Sequence, residues 1–315
     1  MTDNDDRSGK APVRPNLFII GAPKCATSAM HGYLGEHPEI FMSLIKEPMH
    51  FCTDFAFPNR KRSDADYFAL FDEAGDAAYA GESSVFYMLS EAAAREIHAH
   101  NPDAKLIAML RDPVDVIASH HSQIVYEGYE TERDFERALA REDERREAHA
   151  GRRLEVREKV LHYRDIARYH EQLMRFLAHF PRSQLHVVFY EDLVRDLPAV
   201  YRGILEFLGV DPEFRPTFPV VNQRKEIRSR KVADFLNHTP DWLTSIWKKL
   251  LPDPKLRSRL KWKLRHANTR KVAPMKVPDS VRAMLIEELR EDIENLSRLL
   301  DRDLDAWLST GRNNP

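Results

Sequence analysis

The sequence has few cysteines, no long apolar run and almost no net charge. Cys25 and Cys52 are its two cysteines, which give neither a disulfide framework nor the spacing of a zinc site. They indicate a reducing compartment, so we expect a cytoplasmic chain. The formal net charge of −2 excludes a globally basic nucleic-acid-binding protein. No apolar run approaches the about 20 residues that a membrane-spanning helix needs.

The amino-terminal segment also lacks an apolar stretch. Residues 1–15 are polar and charged, unlike a signal peptide, and we expect them to form a disordered tail. Residues 16–315 are enough for one large α/β domain or two small ones. Because neither a repeat nor a clear linker interrupts them, we expect a single domain.

A strand–loop–helix unit at residues 16–34 carries the first functional signal. Residues 17–20 form a short apolar run that is typical of a buried parallel strand, and Thr27 or Ser28 is the expected cap of the helix that follows. Backbone N–H groups and the positive end of the helix then converge on one position, which predicts an anion site. Lys24 adds a positive charge. A strand–turn–helix unit without a ligand is the alternative.

The loop in this unit is not a Walker A motif. That motif requires a glycine at position 26 and a lysine at position 27, where this sequence has Ala26 and Thr27. The lysine stands earlier, at position 24. An ordinary NTPase or kinase is therefore disfavoured, and it is kept as an alternative.

The segment GAPKCATSAM resembles the 5′-phosphosulfate loop of sulfotransferases, G-x-x-K-x-G-T-T-x-L. These enzymes use 3′-phosphoadenosine 5′-phosphosulfate (PAPS) as the sulfuryl donor, and the resemblance implies that Lys24 balances charge on the leaving phosphate. Ala26 replaces the family glycine, and we expect its methyl group to require a negative φ. The resemblance implies that the whole loop binds the donor: Gly21, Ala22, Pro23, Lys24, Cys25, Ala26, Thr27 and Ser28.

The segment KEPMHF at residues 46–51 supplies the candidate base. Glu47 precedes Pro48, which predicts an extended conformation in a loop. The segment is similar to the K-E-P-H-F-F segment of carbohydrate-modifying and bacterial sulfotransferases, which implies that Glu47 takes the acceptor proton. Met49 occupies the place of the family histidine, so His50 is the second candidate, with an ordinary pKa near neutrality. A solvated loop carboxylate is the alternative interpretation of Glu47.

A second strand–helix unit carries the other strong signal. Residues 105–110 read as a buried strand, followed by an Arg-Asp-Pro turn in which Asp112 can cap a helix over residues 114–126. Arg111 thus stands at the carboxyl end of a strand, where open α/β sheets bind ligands. The pattern R-D-P-x-x-x-x-x-S resembles the sulfotransferase 3′-phosphate motif, which implies that Arg111 and Ser119 bind that phosphate. A buried structural arginine–aspartate pair is the alternative.

Three weaker signals complete the candidate site. Glu82 lies in a segment similar to a family E-S-S-P segment, and its carboxylate is a secondary candidate for contact with the loop lysine or the acceptor. In the basic loop and helix region at residues 222–271, the resemblance implies that Arg228 and Ser229 close over the 3′-phosphate. Residues 242–271 mix tryptophan and leucine with basic residues, which indicates peripheral contact with anionic lipid or an acidic acceptor. Basic side chains that cover a buried apolar stripe are the alternative.

Two further segments are helical in pattern. Residues 127–159 alternate in charge, which predicts exposed helix with i,i+4 ion pairs or a mobile insertion over the site. Residues 279–308 predict an amphipathic carboxyl-terminal helix.

These patterns together predict a single α/β domain with a mostly parallel sheet, helices on both faces and a P-loop-like first unit. The resemblance to sulfotransferases implies transfer of a sulfuryl group from PAPS to a hydroxyl group, or less favourably an amine, of a small-molecule, carbohydrate or lipid acceptor. Adenosine 3′,5′-bisphosphate would be the product, and neither a metal nor a nucleic acid is expected. A P-loop NTP-dependent kinase and a non-catalytic nucleotide- or membrane-binding protein are the alternatives.

Overall fold

Five parallel strands form the central sheet, in the order β2-β3-β1-β4-β5. A computed structural model of the protein describes residues 14–57, 63–218, 225–227, 269–271 and 275–311. The strands of the sheet are β1 (Leu17–Gly21), β2 (Ile40–Met42), β3 (Tyr79–Ser83), β4 (Lys105–Leu110) and β5 (Leu185–Phe189). The predicted α/β class and parallel sheet are confirmed.

Helices flank this sheet. Those that precede β5 are α1 (Thr27–Leu34), α2 (Asp64–Phe68), α3 (Ala93–His100), α4 (Pro113–Glu127), α5 (Phe135–Ala140), α6 (Glu142–His149), α7 (Val156–Lys159) and α8 (Tyr169–Leu177). Those that follow it are α9 (Tyr190–Arg195), α10 (Leu197–Leu208) and α11 (Asp279–Leu300). Short 3₁₀ turns lie at Ala69–Ala74, Arg164–Ala167, Arg182–Gln184 and Asp305–Leu308. A separate antiparallel pair joins β6 (Lys225–Ile227) to β7 (Thr269–Lys271).

The two inner strands explain why the sequence folds in this way. All of β1 is buried, and so is β4 after Lys105, because strands at the centre of a parallel sheet are covered on both faces. Both strands therefore read as apolar runs in the sequence. The predicted strand at residues 105–110 is confirmed over its whole length.

A bulge at the end of β1 turns the chain toward β4. The register pairs Ile19 with Ile107 and then Gly21 with Ala108, so β1 has one extra residue at this point. The Ala22 amide then donates a 2.7 Å hydrogen bond to the Met109 carbonyl oxygen. The loop after β1 is thereby fixed beside the end of β4.

The charged segment at residues 127–159 packs against the rest of the domain. The expected i,i+4 ion pair joins Arg146 to Glu142. However, Glu142 is fully buried and also pairs with Arg164, which lies outside the segment. Buried ion pairs of this kind need a fixed geometry. The picture of a mostly exposed helix therefore does not hold around Glu142.

The carboxyl-terminal helix is shorter than the predicted 279–308. α11 ends at Leu300, and Asp301 has a φ of 48°, a left-handed conformation that ends helices. The predicted apolar stripe is buried at Leu285, Leu289 and Ile293, where α11 meets α8. Among the described residues, no helix has the length and apolarity needed to cross a bilayer.

Two predicted features lie outside the described residues. They are most of the amino-terminal tail and most of the basic region at residues 222–271, which includes Arg228 and Ser229.

Gly21 should not tolerate a side chain. Its φ is 150°, and a Cβ atom there would lie 2.9 Å from the Val85 carbonyl oxygen. We expect Gly21→Ala to lower the free energy of unfolding by more than about 1 kcal/mol, measured by chemical denaturation. Gly203→Ala is the matched control, because nothing lies within 4 Å of a Cβ at this position in α10, and helical alanine is favoured over glycine. A Gly21→Ala variant as stable as the wild type would contradict this account of the bulge.

Candidate functional site

The carboxyl ends of β1 and β4 lie side by side and define the candidate site. From β1 the chain leads to β2 and β3 on one side of the sheet, and from β4 it leads to β5 on the other. The loops after β1 and β4 therefore lead to opposite sides of the sheet. Open α/β sheets bind ligands at such a switch point, and we refer to the position between the two loops as the crevice. Lys24 follows β1, and Arg111 follows β4 directly.

The loop after β1 presents backbone donors to this crevice. Within the part of the chain that the structure describes, the amides of residues 25–28 donate to no protein acceptor. The prediction that Thr27 or Ser28 caps α1 is wrong, because Ala26 occupies the cap position and no side chain caps the helix. Uncapped amides at a helix start are suited to binding an anion.

Ala26 has a φ of 65°, so the expected negative φ is also wrong. A left-handed alanine costs about 1–2 kcal/mol. Hydrogen bonds offset this cost, because the carbonyl oxygen of Ala26 accepts from the amides of Ala29 and Met30 at the start of α1. The methyl group replaces the family glycine without altering the left-handed backbone that a glycine would favour.

Cys25 is influenced by both candidate cations. Its thiol is buried and donates a 3.4 Å hydrogen bond to the Pro23 carbonyl oxygen. Burial raises the pKa of this thiol, while the nearby charges of Arg111 and Lys24 act in the lowering direction. Lys24 and Arg111 are therefore on the same side of the sheet, within electrostatic reach of one sulfur atom.

One face of α4 connects these two cations. Asp115, Ser119 and Gln123 are spaced four residues apart, so they form a ridge along the helix with a rise of about 12 Å. Asp115 accepts a 3.1 Å hydrogen bond from Arg111 Nη2, and Gln123 Oε1 accepts a 3.2 Å hydrogen bond from Lys24 Nζ. Ser119 is half-buried between them. The structure thus brings the predicted Lys24, Arg111 and Ser119 together.

Arg111 is held on several sides. Its guanidinium lies 4.5 Å from the centre of the Tyr190 ring, a cation–π contact, and its carbonyl oxygen accepts a 3.1 Å hydrogen bond from Tyr169. Asp112 caps α4 through hydrogen bonds from the amides of Val114 and Asp115, which confirms the predicted cap.

Glu47 lies in a loop at the carboxyl end of β3. Its Oε2 atom accepts a 2.9 Å hydrogen bond from the Val85 amide, and its own amide donates to the Ser83 carbonyl oxygen. Oε1 pairs with Lys46. The predicted extended conformation is wrong, since φ of Glu47 is 58°. These contacts to β3 fix the loop despite the proline that follows.

His50 points to another part of the molecule. Its ring stacks on Tyr67 at 3.9 Å and neighbours Phe51 and Phe68. Burial lowers the pKa of His50, while Asp64, 3.6 Å away, acts in the raising direction. The same aromatic cluster includes rings that contact His100, shortly before the amino end of β4. This placement disfavours His50 as the base and favours Glu47.

Glu82 is a core residue, which corrects the expectation that it contacts the lysine or the acceptor. Its carboxylate is fully buried and accepts hydrogen bonds from the hydroxyl groups of Tyr67, Tyr87 and Ser84. Ser84 also accepts a 3.0 Å hydrogen bond from the Met49 amide. Through Ser84, Glu82 thus supports the loop that contains Glu47 from the core side.

Several contributors were missed at the level of sequence. His31 bridges Ser83 and the Ser43 carbonyl oxygen, and so ties β3 to the start of the Glu47 loop. Gln123 contacts Lys24, and Arg282 of α11 pairs with Asp112. Helical spacing along α4 from Arg111 could have identified Asp115 and Gln123.

No group of three or more histidine, cysteine, aspartate or glutamate side chains in the described ranges is placed to hold a metal ion. The expectation of a metal-free reaction stays a prediction.

Comparisons with known proteins point to one family. A family model described as "Sulfotransferase domain" matches residues 14–251. Carbohydrate sulfotransferase 15 of Rattus norvegicus is 32% identical, over 34% of this chain and 27% of the relative. Heparan sulfate glucosamine 3-O-sulfotransferase 6 of Homo sapiens is 29% identical, over 62% of this chain and 52% of the relative. The chain therefore spans between about a quarter and a half of the length of these curated relatives.

A solved structure is similar over nearly the whole chain. The crystal structure of a sulfotransferase from Alicyclobacillus acidocaldarius superposes with a TM-score of 0.70 at 28% identity. The similarity covers 94% of this chain and 100% of that one.

The buried carboxyl group of Glu82 should make stability depend on pH. Burial raises its pKa from 4.5 to about 7. Between these values the folded chain holds a proton that the unfolded chain has released, so stability falls as pH rises, by up to about 3 kcal/mol. Glu82→Gln cannot titrate, and we expect its thermal unfolding temperature to fall less than that of the wild type across this window.

Glu73→Gln is the control for this experiment, because Glu73 is exposed and its variant should keep the wild-type pH profile. An equal decline for Glu82→Gln and the wild type would show that Glu82 does not titrate in this range.

Proposed function

This chain belongs to the sulfotransferase domain family, and from that premise we propose that it transfers a sulfuryl group from PAPS to a hydroxyl group of a carbohydrate-like acceptor. The observation that carries this proposal is the attachment of Lys24 and Arg111 to one face of α4. PAPS carries a 3′-phosphate and a 5′-phosphosulfate on one ribose, so it needs two such cationic groups on the same side of the sheet.

The residues fit the two ends of this donor. The amides of residues 25–28 donate to no protein acceptor in the described chain, and together with the hydroxyl groups of Thr27 and Ser28 they are suited to the 5′-phosphosulfate. Arg111 and Ser119 would bind the 3′-phosphate, since a guanidinium group binds phosphate in a bidentate manner. The predicted contribution of Arg228 and Ser229 lies outside the described residues.

The chemistry requires charge balance and one proton transfer. The donor supplies a sulfuryl group whose bond to the phosphate oxygen breaks as the acceptor oxygen bonds to sulfur. Glu47 would accept the proton of the acceptor hydroxyl group. Lys24 would stabilise the negative charge that develops on the departing phosphate. Adenosine 3′,5′-bisphosphate would leave as product, and no step in this proposal uses a metal ion.

The carbohydrate class of the acceptor rests on the relatives, whose names refer to carbohydrate and to heparan sulfate glucosamine. Small-molecule and lipid acceptors remain in the proposal as outcomes of an acceptor screen. The free thiols of Cys25 and Cys52 support the proposed reducing, cytoplasmic setting.

Incubation of the full chain with sulfur-labelled PAPS and a panel of glucosamine-containing oligosaccharides tests the function. We expect label in at least one oligosaccharide and release of adenosine 3′,5′-bisphosphate in equal amount. Tight binding of the bisphosphate without transfer to any sugar, lipid or small alcohol would favour a non-catalytic binding protein. Magnesium-dependent ATP turnover would favour a kinase, for which the similarity to sulfotransferases gives no support.

Lys24→Ala and Glu47→Gln should reduce turnover more than donor binding. Each removes a group that acts mainly in the transition state, so we expect kcat to fall by about 100-fold or more. Steady-state kinetics gives the turnover, and calorimetric titration with adenosine 3′,5′-bisphosphate gives the binding. Glu73→Gln, an exposed carboxylate away from the crevice, should retain wild-type turnover. Near-wild-type kcat in Glu47→Gln would move the base to another residue.

Arg111→Ala should weaken binding of adenosine 3′,5′-bisphosphate by about 2 kcal/mol, which is roughly 30-fold in Kd. Calorimetry measures this directly. Arg95→Ala is the matched control, because Arg95 is exposed and pairs only with its neighbour Glu96 among the described residues. Unchanged affinity in Arg111→Ala would show that the 3′-phosphate binds elsewhere.

A further inference from the structure

Arg282 reaches the candidate donor site from the carboxyl-terminal helix. It lies in the first turn of α11, and only 5% of its surface is exposed. Its Nη2 atom pairs with Oδ2 of Asp112, and its Nη1 atom lies 3.5 Å from Oδ1 of Asp115. One guanidinium group therefore joins two carboxylates at the turn between β4 and α4.

Each of these carboxylates has a second task on its other oxygen atom. Oδ1 of Asp112 caps α4, while Oδ2 of Asp115 accepts the 3.1 Å hydrogen bond from Arg111. Arg282 thus contacts the second oxygen atom of each carboxylate, Oδ2 of Asp112 and Oδ1 of Asp115. Asp115 is shared between the two arginines, so the position of Arg111 depends on how Asp115 is held.

The charges at this turn require a second cation. Asp112 and Asp115 together outnumber Arg111, and Glu191 adds a third carboxylate because its Oε1 atom accepts a 3.1 Å hydrogen bond from the Asp112 amide. Charges in partly buried surroundings act strongly on one another. Without Arg282, a phosphate group near Arg111 would meet three carboxylates beside a single arginine.

Competition for Arg111 gives a second reason. A free carboxylate and a guanidinium group favour a bidentate pair, which would occupy the same N–H groups that a phosphate needs. Because Arg282 engages Oδ1 of Asp115, that oxygen atom is drawn toward α11 and away from Arg111.

We propose that Arg282 is a positioning residue for the donor, which keeps the Arg111 guanidinium group available for the 3′-phosphate by binding Asp112 and Asp115. This inference rests on the proposed function. It also makes α11 part of the donor site, although residue 282 lies beyond the span that matches the family model.

The test compares two nucleotides that differ only in the 3′-phosphate. Calorimetry gives Kd for adenosine 3′,5′-bisphosphate and for adenosine 5′-monophosphate, and their ratio reports the 3′-phosphate contact alone. We expect Arg282→Met to lower the wild-type preference for the bisphosphate by about tenfold. Arg282→Lys keeps the charge but cannot bind both carboxylates through a planar fork, so we expect an intermediate loss.

Arg290→Met is the control on the same helix. Its guanidinium group is 43% exposed and pairs with Glu287 and Glu294 of α11, so its variant should keep the wild-type ratio. Thermal unfolding separates stability from recognition, and Arg282→Lys covers the case in which Arg282→Met does not fold.

The outcomes separate this inference from the proposed function. A preference for the bisphosphate that persists in the folded Arg282 variants would overturn the positioning role, even if their unfolding temperature falls. A wild-type chain that binds both nucleotides equally would overturn the 3′-phosphate assignment of Arg111 and this inference with it.

Discussion

The hydrogen bond from the Ala22 amide to the Met109 carbonyl oxygen is the constraint on which the site depends. It continues the pairing of β1 and β4 past a bulge, where Gly21 has a backbone conformation that other residues rarely adopt. The loop that follows must then begin beside the end of β4 and not above the middle of the sheet. Because the two strands are parallel neighbours, their loops share one crevice. Lys24 and Arg111 both lie at this crevice although they are 87 positions apart in the sequence.

Helix α4 sets the distance between the two positions that contact Arg111 and Lys24. A regular helix fixes the distance between Asp115 and Gln123 through its rise per residue, and each end of that ridge contacts one of the two cations. The loops of the site are conformationally strained, since Lys24, Ala26 and Glu47 all have positive φ values. Such conformations persist only where the surrounding structure determines them, and they concentrate at functional sites. The site thus combines strained loop backbone with a regular helix that fixes the distance between its contacts.

The sequence predicted those features that depend on neighbouring residues. The buried strands, the α4 cap at Asp112 and the positions of Lys24 and Arg111 follow from local patterns, and the structure agrees. The conformations of Ala26 and Glu47 were predicted wrongly because contacts to α1 and β3 override the local preferences. The burial of Glu82 was missed because its three hydroxyl partners come from different segments. The burial of Arg282 could have been predicted, because an arginine in the apolar stripe of α11 must pair with a buried partner. The sequence pattern does not indicate which residue that partner is, since Asp112 lies 170 positions away.

The environments of three ionisable groups near β3 explain why one of them suits the role of base. Glu82 is enclosed, and burial raises its pKa to about 7, so it titrates near neutral pH in the core, where it supports the Glu47 loop through Ser84. His50 is packed against Tyr67 in an aromatic cluster, and burial lowers its pKa. Glu47 alone among the three combines partial exposure at the carboxyl end of the sheet with an amide that orients its carboxylate. An oriented carboxylate that an acceptor can reach is the first requirement for proton transfer, and this geometry supports Glu47 as the proposed base before any difference in basicity is considered.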